Sequence, residues 1–265
     1  MRKPTFAALA LLLCGNVNAE MVNQWTFEDG TANDYVGGLS AITDGDLRID
    51  NGVAYFDGID DYIQTDYMTG DITERTIVTW LSMTDFSQRK GGVFVLDEMP
   101  SVYTSINNFD GLVYAEARDS IWHAGSAHGA RSYSDSVWEK MDDSRGGDVI
   151  MLSISYALDD SISMYLNGVL YGSYTPNDSI ATYHGGTSTF LMGLRHSQRK
   201  SQAGLDVDNN AFWAGAIHEA RVYDTALSST DIEALYQSVE IRNVPLNGAG
   251  VLCGMFLLAA RRARK

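Results

Sequence analysis

The stretch Ser161-Ile-Ser-Met-Tyr-Leu-Asn167-Gly168-Val-Leu-Tyr-Gly-Ser-Tyr174 decides the fold class. Apolar and polar residues alternate on either side of Asn-Gly, and a period of two is the pattern of a strand with one buried face. Asn-Gly supplies the two positive φ angles of a type I′ turn, whose twist matches that of the strands it joins. A tight antiparallel hairpin is therefore expected, with Ile162, Met164 and Leu166 sharing one face of its first arm.

Working outward, the same short alternating runs recur between Gly, Asp and Asn. Val53 to Phe56 and Tyr62 to Thr65 flank an Asp-Gly turn. Arg75 to Met83 places Ile77, Thr79 and Leu81 on one face and Val78 and Trp80 on the other. Gly92 to Leu96, Gly111 to Ala115 and Ile150 to Ala157 read as further strands. Many short strands punctuated by turn residues predict an all-β protein, a two-sheet antiparallel sandwich. One helix is expected, Ser229 to Ser238, capped by Ser228 or Ser229 and closing the end of the sandwich. Asp231 and Glu233 suit its positive end, and Ile232, Leu235 and Tyr236 form one apolar face. Trp25 and Trp80 read as core; Phe212 and Trp213 open the last strand and suit either core or surface.

The ends read as address labels. Arg2-Lys3, an apolar run from Phe6 to Cys14 and Val17-Asn18-Ala19 describe a secretory signal peptide, residues 1–19, cut after Ala19. The run is too short to span a bilayer, which needs about 20 apolar residues. At the other end, a linker at 241–248 holds Val244-Pro245-Leu246, and an apolar segment from 249 ends in Arg261-Arg262-Ala263-Arg264-Lys265. A basic cluster after an uncharged apolar segment belongs on the cytoplasmic side of a membrane. Between the labels, residues 20–240 form one domain, a length that a single β-sandwich uses.

Both cysteines, Cys14 and Cys253, lie in the labels, so the body holds no disulfide, thiol nucleophile or thiolate metal site. Six of the 19 basic residues lie in residues 1–19 and 249–265 and none of the 34 acids does, which leaves 13 basic against 34 acidic residues over 20–248, a net charge of −21. Such a field repels nucleic acid and favours cations, so no nucleic-acid partner is expected.

Two resemblances extend these observations. Val244-Pro245-Leu246, the apolar segment and the basic end resemble a PEP-CTERM-type sorting tail in its Val-Pro-Leu-Pro-Ala variant, with Asn247 and Gly248 where the variant has Pro and Ala. The resemblance implies a Gram-negative bacterium and transient anchoring in its inner membrane. An exosortase-like enzyme would then cut near the Pro motif and pass the body to the cell surface or extracellular matrix. The body itself resembles the LamG-like, concanavalin A-like jelly-roll family. The blocks are Trp25-Thr-Phe27-Glu28-Asp29-Gly30 with Asn33-Asp34-Tyr-Val-Gly37-Gly38, and Tyr55-Phe56-Asp57-Gly58-Ile-Asp60-Asp61-Tyr62. The Leu166-Asn167-Gly168 hairpin, Phe190-Leu-Met-Gly193, and Trp213-Ala-Gly215-Ala-Ile217-His218-Glu219-Ala-Arg221-Val-Tyr223 before Ala226-Leu227-Ser228 complete the match. It implies a two-sheet jelly roll used mostly for glycan or protein binding, often with a structural Ca²⁺. The family's last strand commonly carries Asp-Glu where this chain has His218-Glu219, the loss of one hard oxygen ligand.

Candidate chemistry follows from these residues. Some enzymes on this sandwich cleave polysaccharides with carboxylates alternating as Glu-x-Asp-x-x-Glu, and no such run occurs; Glu116 and Asp119 are the nearest pair. For Ca²⁺, Glu28, Asp29 and Asp34 of the opening loop could join Glu219, and Asp206-Val-Asp208-Asn-Asn210 alternates oxygen ligands like the start of an EF-hand loop. That loop's Gly and Glu are replaced by Ala211 and Ile217. Acidic turn residues also serve without a metal. His123, His128, His184, His196 and His218 have no zinc spacing. For glycan binding, Trp122, His123, Tyr133 and Trp138 lie in the irregular stretch 116–148 among Ser, Asp and Arg, where exposed rings could stack on sugars or instead pin the loop. The function expected is an exported surface or matrix domain that binds glycan or an envelope protein without catalysis. The alternatives are a secreted polysaccharide-active enzyme and a structural, Ca²⁺-stabilised matrix protein.

Overall fold

The computed structural model describes residues 19–98, 108–125, 146–196 and 212–240. Fourteen strands occur in chain order: β1 (Met21–Trp25), β2 (Ala41–Asp44), β3 (Arg48–Asp50), β4 (Val53–Asp57), β5 (Tyr62–Thr65), β6 (Arg75–Ser82), β7 (Gly92–Glu98), β8 (Phe109–Tyr114), β9 (Trp122–Gly125), β10 (Ile150–Tyr156), β11 (Ile162–Leu166), β12 (Val169–Tyr174), β13 (Ser188–Met192) and β14 (Ala214–Tyr223). The helix α1 (Ser229–Glu240) follows.

The strands form two antiparallel sheets, as the alternating runs predict. The larger runs β12-β11-β10-β6-β14-β4-β3, and the smaller runs β2-β5-β13-β7-β8-β9. The long β14 serves two neighbours on one side: Ala214 to Ile217 pair with β4, and Ala220 to Tyr223 with β1. A bulge at His218 keeps Ile217, Ala220 and Val222 pointing inward across that change of partner. The Asn167-Gly168 hairpin forms as read, with φ of 51° and 82°, and Asn167 Oδ1 accepts a hydrogen bond from Met151 N at 2.8 Å.

The main core lies between the sheets. Ile77, Leu81, Ile154, Ile162 and Met164 of the larger sheet face Ile63, Leu96, Leu112, Phe190 and Met192 of the smaller one. Trp25 packs edge-on against Phe94 and Phe190, with ring centroids 5.5 and 5.4 Å apart. One charged pair crosses this layer: Arg75 of β6 is ion-paired to Asp110 of β8, both buried. Its guanidinium lies 4.4 Å from the Tyr156 ring centre and 4.8 Å from that of Tyr183, and it donates to Thr73 O and Ala181 O. Burial pulls the Arg75 pKa down and pushes that of Tyr183 well up.

Two expectations are corrected. The helix does not close the end of the sandwich; it lies on the outer face of the larger sheet, where Ile232 and Leu227 cover Val78, Trp80, Met151 and Tyr165. The reason is that Val78 and Trp80 of β6 and Met151 of β10 form an apolar patch on the outer face, which also needs a cover. The helix is capped by Ser228, whose Oγ accepts from Asp231 N at 3.2 Å while Asp231 Oδ2 accepts from Ser228 N at 3.2 Å. Residues 122–125, placed in an irregular stretch by sequence, form β9 at the edge of the smaller sheet.

Candidate functional site

The expected aromatic shelf is not built from Trp122 and His123. β9 pairs with β8, and the alternation sends Trp122 between the sheets, where it meets Tyr114 edge-on at 4.8 Å and has no exposed surface. His123 is equally buried, and its Nε2 accepts from Arg118 N at 3.3 Å. Neither offers a face to a sugar. Tyr133 and Trp138 lie outside the described residues, as do Asp206, Asp208, Asn210 and the sorting-motif residues Val244, Pro245 and Leu246. Phe212 and Trp213, which suited either place, are core.

The nearest carboxylate pair is also divided. Glu116 takes Arg195 at 3.3 Å, whereas Asp119 takes Arg89.

In the opening loop, N–H donors surround the proposed metal ligands. Asp34 accepts from Gln24 N at 2.9 Å, Val36 N at 3.1 Å, Gly37 N at 3.0 Å, Leu39 N at 3.4 Å and Asn23 Nδ2 at 2.6 Å. Glu219 accepts from Gln24 Nε2 and from Arg221 Nε, each at 2.6 Å. Asp29 is an exposed turn residue whose Oδ1 accepts from Thr31 Oγ1 at 2.7 Å and Thr31 N at 2.9 Å, which holds its pKa down; Glu28 is exposed too. His218 Nε2 lies 3.0 Å from Ser82 Oγ, and burial lowers its pKa, so the ring is neutral at pH 7.

Among the described residues, the carboxylates that converge are ones no sequence motif marked as metal ligands. One oxygen each of Asp46, Asp57 and Asp60 lies within 4.8 Å of the other two. Asp46 comes from the β2–β3 turn, Asp57 from the end of β4 and Asp60 from the β4–β5 turn. Beneath them Asp61 is only 3% exposed; its Oδ2 accepts from Asp57 N at 3.0 Å and its Oδ1 has no hydrogen-bond partner. Burial pushes the Asp61 carboxyl up, the Asp57 N–H pulls it partly back, and the charges of Asp57, Asp46 and Asp60 add to the rise. A contiguous motif could not have shown this group, because Asp46 is separated from the others by two strands.

A cleft of about 220 Å³ opens elsewhere, beside the start of β1. Val22, Leu39, Met68 and Ile72 give it apolar walls, and Asp71 and Asp224 give it carboxylates. Asp71 is fixed by Gly185 N at 2.9 Å and lies 3.2 Å from His184 Nδ1; these contacts hold its pKa down, so it is ionised at neutral pH. Two half-exposed rings flank the lining segments in sequence, Tyr35 before Gly37 and Tyr67 before Met68, at 48% and 47% exposure. Apolar walls, oriented carboxylates and exposed aromatic faces are what sugar recognition uses.

No curated protein matches the chain significantly. Among solved structures it is similar to domain 4 of AbnA, a GH43 extracellular arabinanase from Geobacillus stearothermophilus, in complex with arabinotriose: 15% identity, 83% of this chain and 99% of that one, TM-score 0.60. It is also similar to the sialidase of Trypanosoma rangeli in complex with 2,3-difluorosialic acid (14% identity, 85% of this chain and 34% of that one, TM-score 0.57). The botulinum neurotoxin serotype D binding domain follows at 12% identity, 82% and 51% coverage and a TM-score of 0.54. At such identities the likeness is one of fold. The family model of the concanavalin A-like lectin/glucanases matches residues 57–233, from the acidic turn through the hairpin into α1, and the chain belongs to that superfamily.

Proposed function

We propose that this chain is an exported, non-catalytic glycan-binding domain, and that the cleft beside β1 is its sugar site. The observation that carries this is the pairing of apolar walls with the carboxylates of Asp71 and Asp224 in one cleft, with the exposed rings of Tyr35 and Tyr67 next in sequence to the segments that line it. A small concave site of this kind would hold one sugar unit and leave the rest of a polymer running over the surface. The similar arabinanase domain was solved with arabinotriose, which supports a glycan as the ligand class. The separate ion pairs of Glu116 and Asp119 support binding without hydrolysis, since a retaining pair needs carboxyls about 5 Å apart across the bond.

A glycan array on the full chain tests this, with Ca²⁺ and with chelator. Saturable binding is expected, and Tyr67→Ala is expected to weaken it about tenfold or more while leaving the melting temperature unchanged, because Tyr67 is a surface ring. Silence from folded protein would remove the glycan assignment. In that case the exposed Val169 and Leu170, on the edge strand β12, favour an envelope protein as the partner.

The same proposal includes the address. The signal peptide would be removed after Ala19, the tail would hold the body in the inner membrane, and an exosortase-like enzyme would release it to the surface or matrix. Intact-mass analysis of exported protein is expected to find Glu20 as the first residue and the chain ending near Pro245. A mass that retains residues 1–19 and 249–265 would refute both cuts.

A further inference from the structure

We infer that the cleft beside β1 selects a glycan whose sugar units carry a free amine, a de-N-acetylated hexosamine chain, and that Asp71 is the residue that makes the selection. The inference rests on the reading of the cleft as a sugar site and narrows its ligand class.

Charge is the first reason. Among the described residues that line the cleft, the charged ones are Asp71 and Asp224, both acidic. Two exposed acids flank the lining segments, Glu20 before β1 and Asp66 before Met68. Beyond them lies the net charge of −21 over 20–248. A uronate or a sulfated sugar would enter against this field with no cation in the lining to meet it. A neutral sugar can donate ordinary hydroxyl hydrogen bonds to the carboxylates, whereas an ammonium makes charge-assisted ones, roughly twice as strong. Acetylation replaces the ammonium with a neutral amide, so the same ring loses that gain.

The second reason is that Asp71 is held in place before a ligand arrives. Its Oδ1 accepts from Gly185 N at 2.9 Å and its Oδ2 lies 3.2 Å from His184 Nδ1, and each carboxylate oxygen has a second lone pair to offer. Ile72 N and Tyr183 N donate to each other's carbonyl oxygens at 2.9 and 2.8 Å, and Gly186 N donates to Met68 O at 2.8 Å. Gly185 packs so closely on this segment that a Cβ there would stand 2.9 Å from Thr69 O. A carboxylate fixed in this way costs little ordering on binding. Val22, Leu39, Met68 and Ile72 supply an apolar wall for the C–H face of the ring, in a space of about 220 Å³. Asp224 adds to the field, but its Oδ1 already accepts from Glu20 N at 3.1 Å. Removal of residues 1–19 would turn that amide into an ammonium paired with Asp224, and the selection then falls on Asp71.

The test is calorimetric titration of the full chain with glucosamine trimer, N-acetylglucosamine trimer, galacturonate trimer and trilysine. A buffer at about pH 7 keeps a sugar amine, in the α-amino range of about 7.7–8.0, mostly protonated. The glucosamine trimer is expected to bind about tenfold or more tighter than its acetylated counterpart, and the preference is expected to shrink as salt rises. Tyr67→Ala should weaken the glucosamine trimer, which places it in the same cleft. Asp71→Asn keeps an oxygen for Gly185 N and should remove the preference. Asp159→Asn, which takes the same charge from the exposed β10–β11 turn, should keep it. Equal or tighter binding of the acetylated or the acidic trimer would overturn the amine assignment and leave the sugar site standing. Trilysine bound as tightly as the glucosamine trimer, or a preference that survives Asp71→Asn, would overturn it in favour of general attraction to the acidic body. Binding of no sugar by folded protein would remove the sugar site and this inference with it.

Discussion

Arg75→Ala is expected to destabilise the protein by about 3–5 kcal/mol, seen as a lowered urea midpoint with an unchanged slope. Arg75 and Asp110 lie between the two sheets, so removing the guanidinium leaves the Asp110 carboxylate buried in a layer of Ile, Leu and Phe. Tyr156 and Tyr183 also lose the cation that sits over their rings. The net value of the intact pair is a different matter, because desolvating two ions offsets much of their attraction. Arg75→Met combined with Asp110→Leu should therefore recover at least half of the loss. A cost below about 1 kcal/mol for Arg75→Ala would mean that water reaches the pair, and the packing described around it would be wrong.

Trp122→Ala carries the second large effect, also about 3–5 kcal/mol, the range for removing a buried aromatic ring. The indole fills space between the sheets against Tyr114, and its removal leaves a cavity in the core. Trp122→Phe should cost clearly less, because it keeps most of the apolar volume. Equilibrium unfolding separates this from a ligand-binding role. Loss of glycan binding by Trp122→Ala at unchanged stability would show that the ring reaches the surface after all. Loss of both, with Tyr67→Ala losing only binding, is the expected pattern.

These two residues show where sequence is informative and where it stops. In Arg75 to Ser82 the alternation correctly separates Ile77 and Leu81 from Val78 and Trp80, because a strand points successive side chains to opposite faces. It does not say which face meets the second sheet and which meets a helix, since both are apolar. Around Trp122 the strand is four residues long, too short for a period to register among Ser, Asp and Arg. Its direction is set by pairing with β8, a partner eight or more residues away. The candidate sites fared differently. The wall segments of the cleft come from β1, from the loops after β1 and β5 and from the end of β14, and Asp46 meets Asp57 and Asp60 only because two crossovers share a corner.

By itself, then, the sequence determined what local physics controls. Asn167-Gly168 makes a type I′ turn because those residues tolerate positive φ, Ser228 caps the helix because its hydroxyl reaches a free N–H, and short alternating runs make an antiparallel sandwich. Only the tertiary structure decided which residues of distant segments meet. That α1 covers the face of the larger sheet, that Trp122 points inward, and that Asp46 meets Asp57 and Asp60 are consequences of strand order. Strand order follows from the summed burial of both sheets, a global quantity that no window of sequence contains.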